Sequence, residues 1–195
     1  SIREHGIISP LIVRPGKEGG YEIIAGHRRK RACELLGLKT VPCFIRNLTD
    51  EEATITMVDS NIQREELLYS EKAYAYKMKL DAIKKQGQRT DLTSRQSVEK
   101  LEAADVVGEN SGDSGRQIQR YIRLTYLIKT LLDYVDEKRI TFGVGIELSY
   151  LEPAEQEQLY QIMQRLCVFP SLVQAKKLKE LSREGKLDEN GMEII

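Results

Sequence analysis

Strand-like residue patterns are confined to residues 1–48 of this 195-residue chain, and helical spacing takes over after them. That distribution allows only a small sheet of short strands, so most of the interior must come from helix faces, an α+β arrangement. Ile7 to Val13 is a largely apolar run interrupted by Ser9-Pro10, and Tyr21 to Ile24 is a short stretch of β-formers. The turn-rich Pro15-Gly16-Lys17-Glu18-Gly19-Gly20 between them predicts a hairpin. A helix is expected from His27 to Leu36, stopped by Gly37, and then a strand from Val41 to Ile45.

Thr49-Asp50-Glu51-Glu52 is a capping-box pattern, and the helix it starts should run to about Asn61. A second long helix is expected from Ser70, as N-cap, to Gln86, with Ala73, Tyr76, Leu80 and Ile83 on one face. The polar stretch from Gly87 to Thr93 divides the chain into domains at 1–93 and 94–195. The second domain reads as all helix, with segments at 97–106, 114–124, 126–136, 141–150, 153–167 and 171–184. Tyrosines 69, 74, 76, 121, 126 and 134 fall at helical spacing and are expected in the core, and Lys176, Lys177 and Lys179 on a solvated face.

Composition narrows the function classes. No apolar run nears the ~18 residues of a membrane span. Cys33, Cys43 and Cys167 form no Cys-x-x-Cys pair and do not cluster with His5 or His27. That argues against a zinc site or a disulfide framework and for a reduced, cytoplasmic setting. The 30 basic residues balance 30 acidic ones, so any nucleic-acid function must come from local patches. Ser1-Ile2-Arg3-Glu4 reads as the interior of a helix, so a longer parent chain is expected.

Gly26-His27-Arg28-Arg29-Lys30-Arg31-Ala32 takes a strand end into a helix start with consecutive basic residues. A helix N-terminus offers unpaired amides and partial positive charge, which suits phosphate. Arginine in the first turn opposes the dipole, a cost that a bound anion would offset. Taken alone, such a junction is as readily a solvated basic turn. Asp59-Ser60-Asn61-Ile62-Gln63-Arg64-Glu65 closes a helix with small polar groups and, alone, reads as an interhelix turn.

Between Ser97 and Leu124 a short helix leads through Gly108 and a polar loop into Ser114-Gly115-Arg116-Gln117-Ile118-Gln119-Arg120-Tyr121-Ile122-Arg123. Ser114 is a sound N-cap, and Ile118, Tyr121 and Ile122 form the inward stripe. Arg116, Arg120 and Arg123 fall at i, i+4 and i+7, flanked by Gln117 and Gln119, residue types that pair with guanine and adenine edges. No acidic residue lies between 114 and 132, which favours DNA contact over a solvated face.

Together these features resemble the ParB family of partition proteins. Gly6-Ile7-Ile8-Ser9-Pro10-Leu11-Ile12-Val13-Arg14-Pro15 resembles the opening box of its N-terminal domain, residues 26–32 its GERRxRA box, and Ser60-Asn61-Ile62-Gln63-Arg64 its ENxQR box. The helix-turn-helix stands at the family's usual place, and Ile140 to Gly145 resembles the segment written LSxGHA. The resemblance implies a small α/β lobe, similar to sulfiredoxin, followed by an all-helical helix-turn-helix domain. It implies a pocket for CTP and Mg²⁺ formed by Gly6, Ser9, Pro10, Gly26, His27, Arg28, Arg29, Ser60 and Asn61, with Asn61 toward the metal. It also implies a palindromic centromere-like site in double-stranded DNA. Ser114, Arg116, Gln117, Gln119, Arg120 and Arg123 would lie at that site, with Arg95 and Gln96 near the DNA backbone. A homodimer, a ParA-type ATPase partner and a cytoplasmic, nucleoid-associated location follow from the same resemblance.

His27 stands where the family has Glu, and Ser60 where its third box is acidic. CTP binding with at most weak CTPase activity is therefore expected. Ser9 replaces a common Gln, and Val144 replaces the His of the LSxGHA segment. Other classes compete. A sulfiredoxin needs a cysteine where Gly26 stands, and a nuclease needs several carboxylates where the boxes offer only Asp59. A helix-turn-helix transcriptional regulator with a vestigial pocket would bind DNA without responding to CTP.

Overall fold

A computed structural model of the chain describes residues 2–62, 67–90, 104–108, 111–188 and 191–192, as an α+β fold. After the short α1 (Ile2–His5), β1 (Leu11–Pro15) and β2 (Tyr21–Ala25) form the expected antiparallel hairpin. Its turn is closed by the Gly16 amide donating to the Gly20 carbonyl at 3.0 Å. β3 (Cys43–Ile45) runs parallel to β1 on the other side, giving the order β2-β1-β3. The first strand begins at Leu11 rather than Ile7. Pro10 has no amide to give to a ladder, and the first pairing bond is Leu11 N–H to the Pro42 carbonyl, 3.0 Å.

The sheet is buried where helices cover it. Leu11 and Val13 of β1 and Ile24 and Ala25 of β2 are buried, as are Cys33 of α2 (His27–Leu35) and Ala53, Val58 and Ile62 of α3 (Asp50–Ile62). All three residues of β3 are exposed. α2 ends as its sequence predicts: Gly37 takes a φ of +67° and lets the Leu38 amide reach the Cys33 carbonyl at 3.0 Å. α3 starts on the expected capping box, Glu52 N–H to Thr49 Oγ1 at 3.2 Å and Thr49 N–H to Glu52 Oε2 at 2.8 Å. Arg14, nearly buried, binds the hairpin to this start through Glu22 (2.6 Å), Asp50 (2.7 Å) and the Leu48 carbonyl (3.2 Å). Lys17, then Arg14, hold the Asp50 carboxyl below the usual carboxylate range.

Two compact units divide the chain, residues 1–64 with 78–94 and residues 65–77 with 95–195, so α4 (Tyr69–Thr90) contributes to both. α4 begins before Ser70. The Leu68 carbonyl accepts the Lys72 amide, so Leu68 is the cap, and the Ser70 amide goes to Asp136 Oδ1 at 2.9 Å. Ala73, Tyr76 and Leu80 are buried on the expected face, with Ile83 half-buried.

The second unit is helical: α5 (residues 104–108), α6 (Gly115–Arg123), α7 (Lys129–Asp136), α8 (Phe142–Leu148), α9 (Pro153–Leu166) and α10 (Leu172–Arg183). Leu124, Leu131, Val135, Leu148 and Leu178 form its centre. The helix expected from 126 starts at Lys129 instead, after a 3₁₀ turn at Leu124–Tyr126. The buried amide of Gln156 explains the delay. It accepts the Ile128 N–H at 2.8 Å and donates to the Tyr126 (3.1 Å) and Leu151 (3.0 Å) carbonyls, holding the linking residues extended. Among the tyrosines, 76, 121 and 134 are buried, but Tyr74 and Tyr126 are exposed, against expectation. Lys179 also departs from the solvated face, pairing with Glu147 at 2.6 Å.

Within the first unit Lys79 is buried, and its ammonium meets Asp59 at 2.5 Å, tying α4 to α3. Removing one member of such a pair strands the other, whereas replacing both with apolar groups does not. Lys79→Met and Asp59→Leu should each cost on the order of 3 kcal/mol in urea unfolding. The double variant should cost clearly less than their sum, and strict additivity would contradict the pairing.

Candidate functional site

Two short helices of the second unit, α5 and α6, are separated by a polar turn, and α6 carries the exposed Arg116 and Arg120. Ala104 and Val107 of α5 are fully buried, and Ile118, Tyr121 and Ile122 of α6 complete the inward stripe. The turn is shaped by glycines that no other residue could replace without movement. A β-carbon at Gly108 would lie 2.2 Å from the Asp113 carbonyl oxygen, and one at Gly115 would lie 2.2 Å from the Asp105 carboxylate. That carboxylate accepts the Gly115 amide at 3.1 Å, so the first helix caps the second. Ser114 supplies the expected N-cap, its Oγ accepting the Gln117 amide at 3.3 Å.

The turn is also held from α4. The buried Tyr76 hydroxyl donates to Asp113 at 2.5 Å, and Lys72 lies 3.7 Å from the same carboxylate. Burial, reinforced by Asp113, raises the Tyr76 phenol well above its ordinary value. Tyr121 packs against Phe142 (5.0 Å), Tyr76 (5.6 Å) and Tyr69 (6.3 Å), closing the seat under α6.

The predicted DNA-facing residues differ in where they stand. Arg116 and Arg120 are exposed. Arg120 is steadied by Gln117 Oε1 at 3.1 Å and by the Phe142 ring at 5.1 Å, and makes no bridge to Asp113. Gln117 and Gln119 are half-buried beside them. Arg123 is committed inward. Its Nε donates to Ser149 Oγ at 3.0 Å and its NH2 to the Ser149 carbonyl at 2.5 Å, while Tyr150 (4.0 Å) and Tyr126 (4.5 Å) cover the guanidinium. Arg95 and Gln96, like the expected helix start at 97, lie outside the described residues.

In the first unit the glycine junction is built as expected, but its arginines divide. Gly26 caps α2 with φ +105°, and a β-carbon there would lie 2.9 Å from Leu11 Cγ. Arg29 reaches back across the junction to the Ser9 carbonyl and, at 2.8 Å, to the Pro10 carbonyl. It therefore joins the first box to the second, where a free phosphate clamp was expected. Lys30 (2.9 Å) and Arg31 (3.5 Å) both turn to Glu34, whose carboxyl they hold below its ordinary range, Lys30 foremost. His27 and Arg28 are exposed at the helix start, and Gly6 takes a φ of +67°.

The third box stands at the end of α3. Ser60 Oγ donates to the Met57 carbonyl at 2.8 Å, and Asn61 is half-buried. Gln63 and Arg64 lie outside the described residues, and no hydrogen bond among the described ones joins Ser60 or Asn61 to the glycine junction. Among the described residues no three His, Cys, Asp or Glu side chains gather as a metal site. Sequence reasoning missed the contacts of Asp105, Tyr76, Lys79 and Ser149. Only Gly115, an odd choice directly after an N-cap, hinted at a close approach.

Residues 1–62 match the model of the ParB N-terminal domain. A probable chromosome-partitioning protein ParB from Pseudomonas putida is 39% identical over 158 residues, 81% of this chain and 49% of the relative. The chromosome-partitioning protein Spo0J of Thermus thermophilus is 33% identical over 180 residues, 92% of this chain and 59% of the relative. A nucleoid occlusion protein from Listeria innocua is 36% identical over 157 residues, 80% of this chain and 49% of the relative. The chain thus spans about half the length of the curated relatives it matches. Its fold is similar to the crystal structure of C-terminally truncated ParB from Caulobacter crescentus complexed to the centromeric parS site. That match has a TM-score of 0.56 and 24% identity, over 90% of this chain and 82% of that one.

Arg123→Ala removes two charge-assisted hydrogen bonds and a stacked cation, on the order of 2 kcal/mol. It should lower the melting temperature by about 4–8 °C in a thermal scan, while Arg116→Ala leaves it unchanged. Equal melting of the two variants would remove Arg123 from its structural role. Tyr76 has a raised folded-state pKa, so its contribution is full below the ordinary tyrosine value near 10 and is lost as pH rises beyond it. Tyr76→Phe should flatten the alkaline fall in stability measured by urea unfolding between about pH 9 and 11.

Proposed function

We propose that this chain, whose residues 1–62 match the ParB N-terminal domain, is a sequence-specific DNA-binding partition protein switched by a bound nucleotide. The observation that carries the DNA half of this reading is α6. It is capped by Ser114 and Asp105, seated on buried Ile118, Tyr121 and Ile122, and has Arg116 and Arg120 on its open side. A rigid helix with bidentate donors facing out is what major-groove reading requires. Arg116, Arg120 and the flanking Gln117 and Gln119 are assigned to base edges or adjacent phosphates, and Arg123 to holding α6. A palindromic site would be read by two copies, so a homodimer belongs to the same proposal. A ParA-type ATPase as partner rests on the family alone.

The nucleotide half rests on the Gly26 junction. The first amides of α2 and the exposed Arg28 suit a triphosphate, with Arg29 fixing the Ser9-Pro10 loop beside them. CTP is the family's nucleotide, and Mg²⁺ would be carried chiefly by its phosphate oxygens with Asn61 as a protein ligand. His27 and Ser60 offer no carboxylate to position water or metal, and Asp59 is engaged by Lys79. Hydrolysis should therefore be weak or absent. A transcriptional regulator without a nucleotide switch is the second reading, favoured by Arg29 being spent on carbonyls.

Calorimetric titration with each of the four nucleoside triphosphates and Mg²⁺ should show binding of CTP above the others, weakened by Arg28→Ala. No CTP binding at millimolar concentration would leave the second reading. In binding assays on specific DNA, Arg116→Ala or Arg120→Ala should cost about 1–3 kcal/mol. If both variants bind like the parent, α6 is not the reader.

A further inference from the structure

Away from α6 and the glycine junction, the second unit carries an apolar groove of about 310 Å³. Its floor is Leu159, Ile162 and Met163 of α9 and Leu178 of α10, and its lip is Leu166, Val168 and Phe169. The lip is unusually open: Leu166 is 47% exposed and Val168 53%, and just beyond, Val173 on α10 is 77% exposed. Large apolar residues clustered in this way mark a binding surface. Lys176 and Lys177 are exposed on α10 beside Leu178. The chain has no carboxylate between Glu157 and Glu180, and of the cations in that stretch Lys179 is paired with Glu147 at 2.6 Å. Val173 and Lys177, four apart on α10, share a face, and the Arg139 guanidinium lies 4.8 Å from the Phe169 ring. The carboxylates at the far end are occupied, Glu155 by Ser182 at 2.6 Å and Asp188 by the Gly191 amide at 2.7 Å.

We propose that this groove docks an acidic amphipathic segment of a partner protein, a large apolar side chain entering between α9 and α10 and its flanking carboxylates meeting Lys177 and its neighbours. Lys176 and Lys177 select against a basic partner.

The test uses the full chain and two fluorescein-labelled helical peptides. Both carry leucines at i, i+3 and i+7, one with glutamates on the flanks and one with lysines. Fluorescence anisotropy should show the acidic peptide bound, more weakly as salt rises, and the basic peptide at least about tenfold weaker. Val173→Asp and Lys177→Glu should each weaken the acidic peptide by about tenfold or more, with melting temperature and DNA affinity unchanged. Val173→Ser, which leaves the charge alone, should weaken it less. Equal binding of the two peptides, no binding of either, or indifference to Val173→Asp would overturn the proposal. So would sedimentation showing self-association that Val173→Asp abolishes, since the occupant would then be a second copy. Flotation with anionic vesicles that the acidic peptide fails to displace would assign the face to lipid instead.

Discussion

A helix that reads DNA must be fixed in place by contacts that leave its outer face uncommitted, and in this chain that fixing starts with the bond from Gly115 N–H to Asp105. It joins the two helices of the turn at the first amide of α6, while the Ser114 hydroxyl serves that of Gln117. It explains Gly115, which must lack a side chain for the carboxylate to approach, while Gly108 must lack one because the Asp113 carbonyl oxygen lies where its β-carbon would stand. Tyr76 holds the same turn from α4 through Asp113, so the angle of α6 is set from two directions before any ligand arrives. Preorganisation of this kind reduces the ordering cost of binding.

The basic side chains are sorted by what lies near them. Lys30 and Arg31 share Glu34, Arg29 is drawn onto backbone carbonyls, and the half-buried Arg123 is covered by tyrosine rings. Arg28 in the first unit and Arg116 and Arg120 in the second are left facing outward. A chain with balanced charge can thus present local cationic surface, because no carboxylate stands between Asp113 and Asp133, the stretch that carries Arg116 and Arg120.

The parts of the fold that depend on local chemistry were legible in the sequence. The Gly16–Gly20 turn, the Thr49 capping box, the Gly37 stop and the Ser114 cap are each decided by a few adjacent residues, and each is found where expected. What escaped depends on partners distant in the chain. Gln156 delays α7 from 28 residues away, and Asp136 takes the Ser70 amide from 66 residues away. Neither leaves a trace in local spacing. The candidate site divides in the same manner. Gly26 is recognisable because strand end, glycine and basic helix start are contiguous. That Arg29 would turn back to Ser9 and Pro10 requires knowing that β1 lies beside α2.

Arg123 shows why helical position is an incomplete guide to role. At i+7 from Arg116 it comes back to nearly the same side of an ideal helix, so counting alone groups the two. The counting assumes that the helix continues beneath each side chain. α6 ends at Arg123, and the chain tightens into a 3₁₀ turn at Leu124–Tyr126. The surface next to that last turn is the end of α8, where Ser149 offers a hydroxyl and a carbonyl and Tyr150 offers a ring. A guanidinium at a helix C-terminus also meets favourable dipole charge. Each of these pulls inward, and none acts on Arg116, which stands exposed in the first turn. The difference between a reader and a holder is therefore decided by the helix end and the neighbour it abuts, not by the arginine.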